Sequence, residues 1–242
     1  IYTLSLHDAL PISISITILI RLQHWVMMCA KLPRRSFRRL TMPKNAFGKP
    51  VDCDRVLLHA CCAPCSSAIV EWMLNNGVRP TIFYYNPNIF PREEYEIRKN
   101  ESKRHAETIG LEWIDGDYNH ESWQQCVCGL ENEPERGRRC EQCFLMRMKA
   151  AAEKAKEFGI KYFTTTLASS RWKNLEQINR AGHEAEKLVD GVVFWDQNWR
   201  KGGLYERRNQ LLKEFNFYNQ QYCGCEFSKR QREAYEIAKN LK

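Results

Sequence analysis

Beyond residue 55 the hydrophobic positions fall into short runs rich in β-branched and aromatic residues. Between them lie longer stretches in which apolar residues recur every three or four positions. The first pattern reads as strand and the second as amphipathic helix. Strands are predicted over 55–60 (RVLLHA), 81–86 (TIFYYN), 111–116 (LEWIDG), 162–168 (YFTTTLA) and 192–197 (VVFWDQ). Helices are predicted over 68–76, 93–109, 141–158, 175–189 and 205–215, several closed by a glycine that suits a left-handed cap (Gly77, Gly110, Gly159, Gly191). Such alternation predicts an α/β fold, a Rossmann-like parallel sheet of about five strands with helices on both faces. Ligands of these sheets sit beyond the carboxyl ends of the strands. The unusual residues follow those ends: Cys61-Cys62, Asn86-Pro87-Asn88, Ser169-Ser170 and the segment from Asp196 to Lys201. One mouth of the sheet is expected to collect them.

The formal net charge of +8 invites a nucleic-acid partner, but residues 1–42 hold six basic side chains against Asp8 alone. The remainder then carries about +3, which is ordinary for a soluble surface. Charge by itself therefore decides nothing about RNA. Tyr2 to Ile12 (YTLSLHDALPI) resembles a translated sequencing adapter and is set aside. Residues 1–42 are expected to be a non-native or disordered tail with a natural start at Met42, and 43–242 a single catalytic domain. The apolar run 14–20 is too short to span a bilayer and no basic residue precedes it, so a cytoplasmic protein without a membrane partner is expected.

Eleven cysteines in such a chain point to metal binding or redox chemistry rather than a disulfide framework. Three groups stand out: Cys61, Cys62 and Cys65 (C-C-x-x-C), Cys140 and Cys143 (C-x-x-C), and Cys223 and Cys225 (C-G-C). Cys126 and Cys128 lie in a polar stretch, and Cys29 and Cys53 fit no pattern. Three readings stay open. Two C-x-x-C pairs suit a tetrahedral zinc site. Cys62-Ala-Pro-Cys65 between a strand and a helix suits a thioredoxin-like dithiol. Four thiolates suit an iron–sulfur cluster, with the arginines of 134–139 (PERGRR) offsetting its charge. Adjacent cysteines of a strand point to opposite faces, so Cys61 and Cys62 share a centre only if the chain turns there, as Pro64 suggests. A Cys223–Cys225 disulfide would close a small strained ring, the kind that is redox-labile.

LLHACCAPCS, FYYNPNIFPREEY, PERGRRCEQCFLMR, FTTTLASSRWK, RKGGLYERR and FYNQQYCGCEFS occur in this order. Together they resemble the cobalamin-independent epoxyqueuosine reductase family, QueH, over about residues 55–228. The resemblance implies a nucleotide-hydrolase-like topology and reduction of epoxyqueuosine to queuosine at the wobble position of a tRNA anticodon. It further implies a 4Fe-4S cluster on Cys61, Cys62, Cys140 and Cys143 and a redox-active pair, Cys223 and Cys225. The family also suggests a different partition, with a separate mononuclear metal ion beside the cluster held by Cys65 and one of Cys62 or Cys225, and the sequence leaves both partitions open. The partners it implies are a tRNA substrate and an unidentified electron donor.

Converting an epoxide to an alkene takes two electrons and two protons and releases water. Candidate proton donors are His59, Asp117, Glu135 and Asp196, each beside a predicted strand end or the cysteine loops. Asn86 and Asn88 bond the modified base or shape a turn. Lys173, Arg200, Lys201, Arg207 and Arg208 are candidates for tRNA phosphates, and Trp172, Trp199 and Tyr218 for stacking on unpaired bases. No glycine-rich phosphate loop follows the first strand, where C-C-A-P-C stands, which argues against an ATP-using hydrolase or thiolase. A non-enzymatic zinc-binding RNA module is the remaining competitor.

Overall fold

Hydrophobic runs become the interior of a five-stranded, all-parallel sheet in the computed structural model, which describes residues 48–50 and 52–240. The expectations for residues 1–42, and Cys29 among them, lie outside the described residues. In chain order the elements are β1 (Arg55–His59), α1 (Ala63–Asn75), β2 (Arg79–Tyr84), α2 (Arg92–Thr108), β3 (Trp113–Asp115), α3 (His120–Cys126), α4 (Arg138–Glu157), β4 (Tyr162–Thr165), a 3-10 turn (Thr166–Ser169), α5 (Leu175–Leu188), β5 (Val193–Phe194), α6 (Leu204–Glu214) and α7 (Glu226–Asn240).

The strand order is β3-β2-β1-β4-β5. Chain connections leave β1 toward one edge and β4 toward the other, so the two central strands diverge and open a crevice at their carboxyl ends. Val56 to His59 of β1 are all buried, as expected of a parallel strand covered on both faces. Its Leu57 and Leu58 pack in one core with Met73, Phe83, Met148, Phe163 and Ile178. Helix contacts group α1 with α2 and α6, and α4 with α5.

Two departures from the sequence pattern bear on function. Helix α1 begins at Ala63 rather than 68, with Pro64 in its first turn, where a missing N–H is harmless. Periodicity misses this start because the first turn is built from small residues. Ser66 donates to the carbonyls of Cys62 and Ala63, and Ser67 to that of Pro64, which lets these hydroxyls be buried. The fourth predicted strand ends at Thr165 and tightens into the 3-10 turn, which brings Thr166 back over the end of β1. Helices α3 and α7 fall in stretches that periodicity left unassigned.

Candidate functional site

The chain turns sharply where β1 ends. Cys62 is the extended residue capping α1, so Cys61, Cys62 and Cys65 gather around a helix N-terminus instead of pointing to opposite faces. Their three sulfurs lie within 4.8 Å of one another, and Cys61 Sγ is 3.9 Å from Cys62 Sγ. Thr166 locks the turn: its hydroxyl accepts from Cys61 N at 3.1 Å and donates to Cys61 Sγ at 3.3 Å. Hydrogen bonds from Cys62 and Cys65, then Lys173 and Thr166, hold the Cys61 thiol well below the usual range despite burial. Cys62 is driven well above it, and Cys65 up to about 12, chiefly by their hydrogen bonds with Cys61. One thiolate supported by two thiols is what one negative charge shared among three buried sulfurs gives.

Facing them is the loop between α6 and α7. Lys173 Nζ donates to Cys223 Sγ at 3.1 Å, and the charges of Cys223 and Cys61 push the lysine upward against burial, so it stays an ammonium. Gly224 at φ +135° lies in a region that side chains rarely adopt, and a Cβ there would sit 3.1 Å from Ile89 Cγ1 and 3.2 Å from Arg98 Nη1. Arg98 reaches the carbonyls of Cys223 at 3.2 Å and Tyr222 at 3.3 Å and pairs with Glu94 at 2.7 Å. Phe90 N donates to Gly224 O at 2.8 Å, so the C-G-C segment is held by its backbone from two sides. Cys225 stands one residue before α7, where Ser228 N lies 3.4 Å from its sulfur. Burial and the Cys223 charge push its thiol up to about 11.

Cys140 and Cys143 occupy the first two turns of α4. They are outside the three-sulfur group, which among the described residues is Cys61, Cys62 and Cys65. Arg136, in a left-handed conformation, donates its backbone N–H to Cys140 Sγ at 3.3 Å. Burial, with the charges of Cys143, Cys223 and Cys225, pushes that thiol up to about 12. Cys143 is buried against Trp123 and Val127, with Cys225 packed on the same cluster. Cys143 and Cys225 thus share one apolar cluster, Cys140 packs on the main core, and Cys223 and Lys173 line a small cavity with Cys61 and Cys65. Cys126 feels Cys143 electrostatically and lies 3.8 Å from Gln142 O.

A cavity of about 20 Å³ lies among Cys61, Cys65, Asn88, Arg147, Lys173 and Cys223. Two buried polar atoms on it, Asn88 Oδ1 and Arg147 Nε, have no partner among the described residues. A larger cavity of about 450 Å³ adjoins it through Cys65, Ser170 and Gln220.

Sequence similarity bears directly on this arrangement. The family defined as epoxyqueuosine reductase QueH matches residues 56–231. The chain belongs to the QueH family. Relatives named epoxyqueuosine reductase QueH include one from Histophilus somni, 49% identical over 177 residues, 73% of each chain. One from Acinetobacter baylyi is 46% identical over 191 residues, 79% of this chain and 88% of the relative. One from Thermotoga maritima is 36% identical over 176 residues, 72% of this chain and 89% of the relative. The matched span contains all three cysteine groups and both cavities.

The candidate proton donors of the QueH chain scatter. His59 is fully buried, with Nδ1 at 2.8 Å from Thr165 Oγ1 and Nε2 at 3.0 Å from Tyr85 O. Burial holds its pKa near 3, so it is a neutral brace across three strand ends. Asp117 and Glu135 are exposed, and Asp196 is exposed beside His183 at 3.3 Å; none of these three lines either cavity. Asn86 donates to Ala60 O at 2.9 Å and accepts from Arg147, shaping the mouth from within. Lys173 is half-buried and turned to Cys223. Arg207 is buried between Glu71 and Glu214, at 2.6 and 2.8 Å, so its charge is spent inside the fold. Trp199 is 1% exposed, packed on Trp72 and Trp195. Thr166, Arg98 and Arg147 were missed from sequence. An arginine inside an amphipathic helix reads as surface charge, and only contacts from distant strands show otherwise.

Proposed function

We propose that the chain reduces the epoxide of epoxyqueuosine, at the wobble position of a tRNA anticodon, to the alkene of queuosine. The observation that carries the reading is the three-sulfur group of Cys61, Cys62 and Cys65, whose Cys61 and Cys65 line one small polar cavity with Lys173 and Cys223. The family name supports the substrate. The balance is simple: an epoxide and two thiols give an alkene, water and a disulfide. Cys223 and Cys225 supply those two electrons and two protons and are then reduced by an electron donor. Gly224 allows the tight backbone that such a pair needs.

The cavity of about 20 Å³ has room for about one water-sized group, the size of the departing oxygen. Lys173, held as an ammonium, stabilises negative charge that develops on that oxygen, Arg147 Nε offers it an unpartnered N–H donor, and Asn88 Oδ1 can accept from it once it is protonated. The base enters through the larger cavity, since the small one cannot admit a ring. His59 keeps Thr165 in place and thereby the 3-10 turn whose Thr166 grips Cys61.

Thiol donors packed as closely as Cys61, Cys62 and Cys65 suit iron or zinc, and Cys140 and Cys143 lie outside that close group. The proposed ligands of a 4Fe-4S cluster are Cys61, Cys62, Cys140 and Cys143, with Cys65 left for a mononuclear ion. Such a cluster supplies electrons singly when bound. One observation favours a second reading, a single tetrahedral ion on Cys61, Cys62 and Cys65. Their 3.9 Å sulfur separation is close to the ~3.8 Å between two ligands each about 2.3 Å from one zinc.

The test is anaerobic turnover of epoxyqueuosine-containing tRNA with a chemical reductant, alongside iron and sulfide analysis. Queuosine should form with iron-loaded protein. Cys223→Ser should abolish turnover and keep RNA binding, whereas a zinc-binding RNA module would be indifferent to it. Iron-loaded wild type that forms no queuosine refutes the activity, and a colourless protein holding only zinc refutes the cluster.

A further inference from the structure

The larger cavity has a wall of aromatic, cationic and amide side chains. Arg171 and Trp172 come from the loop after the 3-10 turn, Tyr205 and Arg208 from α6, and Asn219 and Gln220 from the segment leading to Cys223. Among the described residues its charged side chains are two arginines, and no carboxylate lines it. The Arg171 guanidinium lies 4.3 Å from the centre of the Tyr205 ring. Arg208 is held by amide oxygens, Asn209 at 2.9 Å and Asn219 at 3.0 Å, and has no carboxylate partner among the described residues.

Trp172 is 79% exposed, although the backbone beneath it is fixed. Arg136 Nε donates to Trp172 O at 2.8 Å, and Arg200 Nη2 donates to Lys173 O at 2.8 Å. A large indole standing in water on a pinned backbone signals a contact surface more than a packing accident. Flat aromatic faces interleaved with unpaired arginines match a single-stranded polynucleotide, whose bases stack and whose phosphates need cations.

We propose that Trp172, the Arg171–Tyr205 stack and Arg208 seat the unpaired nucleotide next to the one that reacts. Its base lies on the indole and its phosphate meets the arginines. The proposal rests on the RNA-reductase reading above and adds which residues recognise the strand. Recognition of a neighbour makes the enzyme act on an RNA loop in preference to a free nucleoside.

The test uses the full chain and anticodon stem-loop RNA carrying the reacting nucleotide, intact or with an abasic neighbour. Trp172→Ala should raise KM on the order of tenfold, the loss expected for one stacked base, with most of the effect in KM rather than kcat. Trp172→Phe should restore most of it. The abasic neighbour should raise KM for the wild type and add little in Trp172→Ala. Equal abasic penalties in both proteins overturn the proposal. So does a Trp172→Ala defect seen only with a protein reductant, which would assign this face to the electron donor. Stacking is also read without turnover, which separates it from failure of the activity. Unmodified stem-loop RNA should quench wild-type tryptophan fluorescence more than that of Trp172→Phe, and equal quenching refutes the seat.

Discussion

Arg98→Met tests whether the Cys223-Gly224-Cys225 segment is held from behind by one buried cation. The side chains of Arg98 and Glu94 are 2% and 9% exposed, so water screens their 2.7 Å contact little. The substitution keeps most of the volume, leaves the buried Glu94 carboxylate with the Tyr218 hydroxyl at 2.7 Å but without its cation, and removes the donors to Tyr222 O and Cys223 O. Removing one partner of a buried pair costs about 3–5 kcal/mol, most of it from the charge left behind. For a chain of this size that is roughly 6–20 °C in Tm. Anaerobic thermal and urea melts read the loss directly. Adding Glu94→Gln should recover part of it, because the orphaned charge is gone. Turnover should fall in both variants, since the freed loop no longer presents Cys223 to Lys173. A loss below about 1 kcal/mol, or a double variant as costly as the sum of the singles, would refute this account of the loop.

Gly224→Ala places a Cβ at φ +135°, 3.1–3.3 Å from Ile89, Arg98 and Asn88, and should cost about 1–3 kcal/mol with loss of turnover; a variant within 0.5 kcal/mol of wild type by urea melts contradicts that strain. His105 is 5% exposed between the rings of Phe215 and Phe217, and burial lowers its pKa to about 4. Its unfolded pKa is near 6.5, so between those values the unfolded chain takes up a proton that the folded one refuses. Stability should therefore fall as pH drops below about 6.5, by about 2 kcal/mol at pH 5 from this residue. His105→Gln should flatten the measured slope by that amount, and an unchanged slope would show that His105 titrates alike in both states.

The order of strands and helices was legible because local periodicity carries it, and so was the family, because its motifs are long and uninterrupted. Boundaries were less so. The start of α1 hides in small residues whose burial depends on backbone carbonyls of their own turn, and the end of β4 depends on Thr166 reaching Cys61. Residue type and spacing alone marked the three cysteine groups and Trp172 as worth attention. It could not tell that Trp172 stands exposed while Trp199 is covered, or that Lys173 meets a sulfur while Arg207 meets two carboxylates.

What this sequence determined by itself is its pattern: a parallel α/β sheet, a set of thiols at strand ends and the kinship to QueH. Those follow from spacing along one chain. Which thiols share a centre, which cation faces them and where a base can stack were decided by tertiary structure. These depend on residues more than a hundred positions apart, such as Cys61 with Thr166 and Arg98 with Cys223, being packed to within hydrogen-bond distance. No local pattern encodes such distances, because they are set by how helices of different lengths return the chain to neighbouring strands.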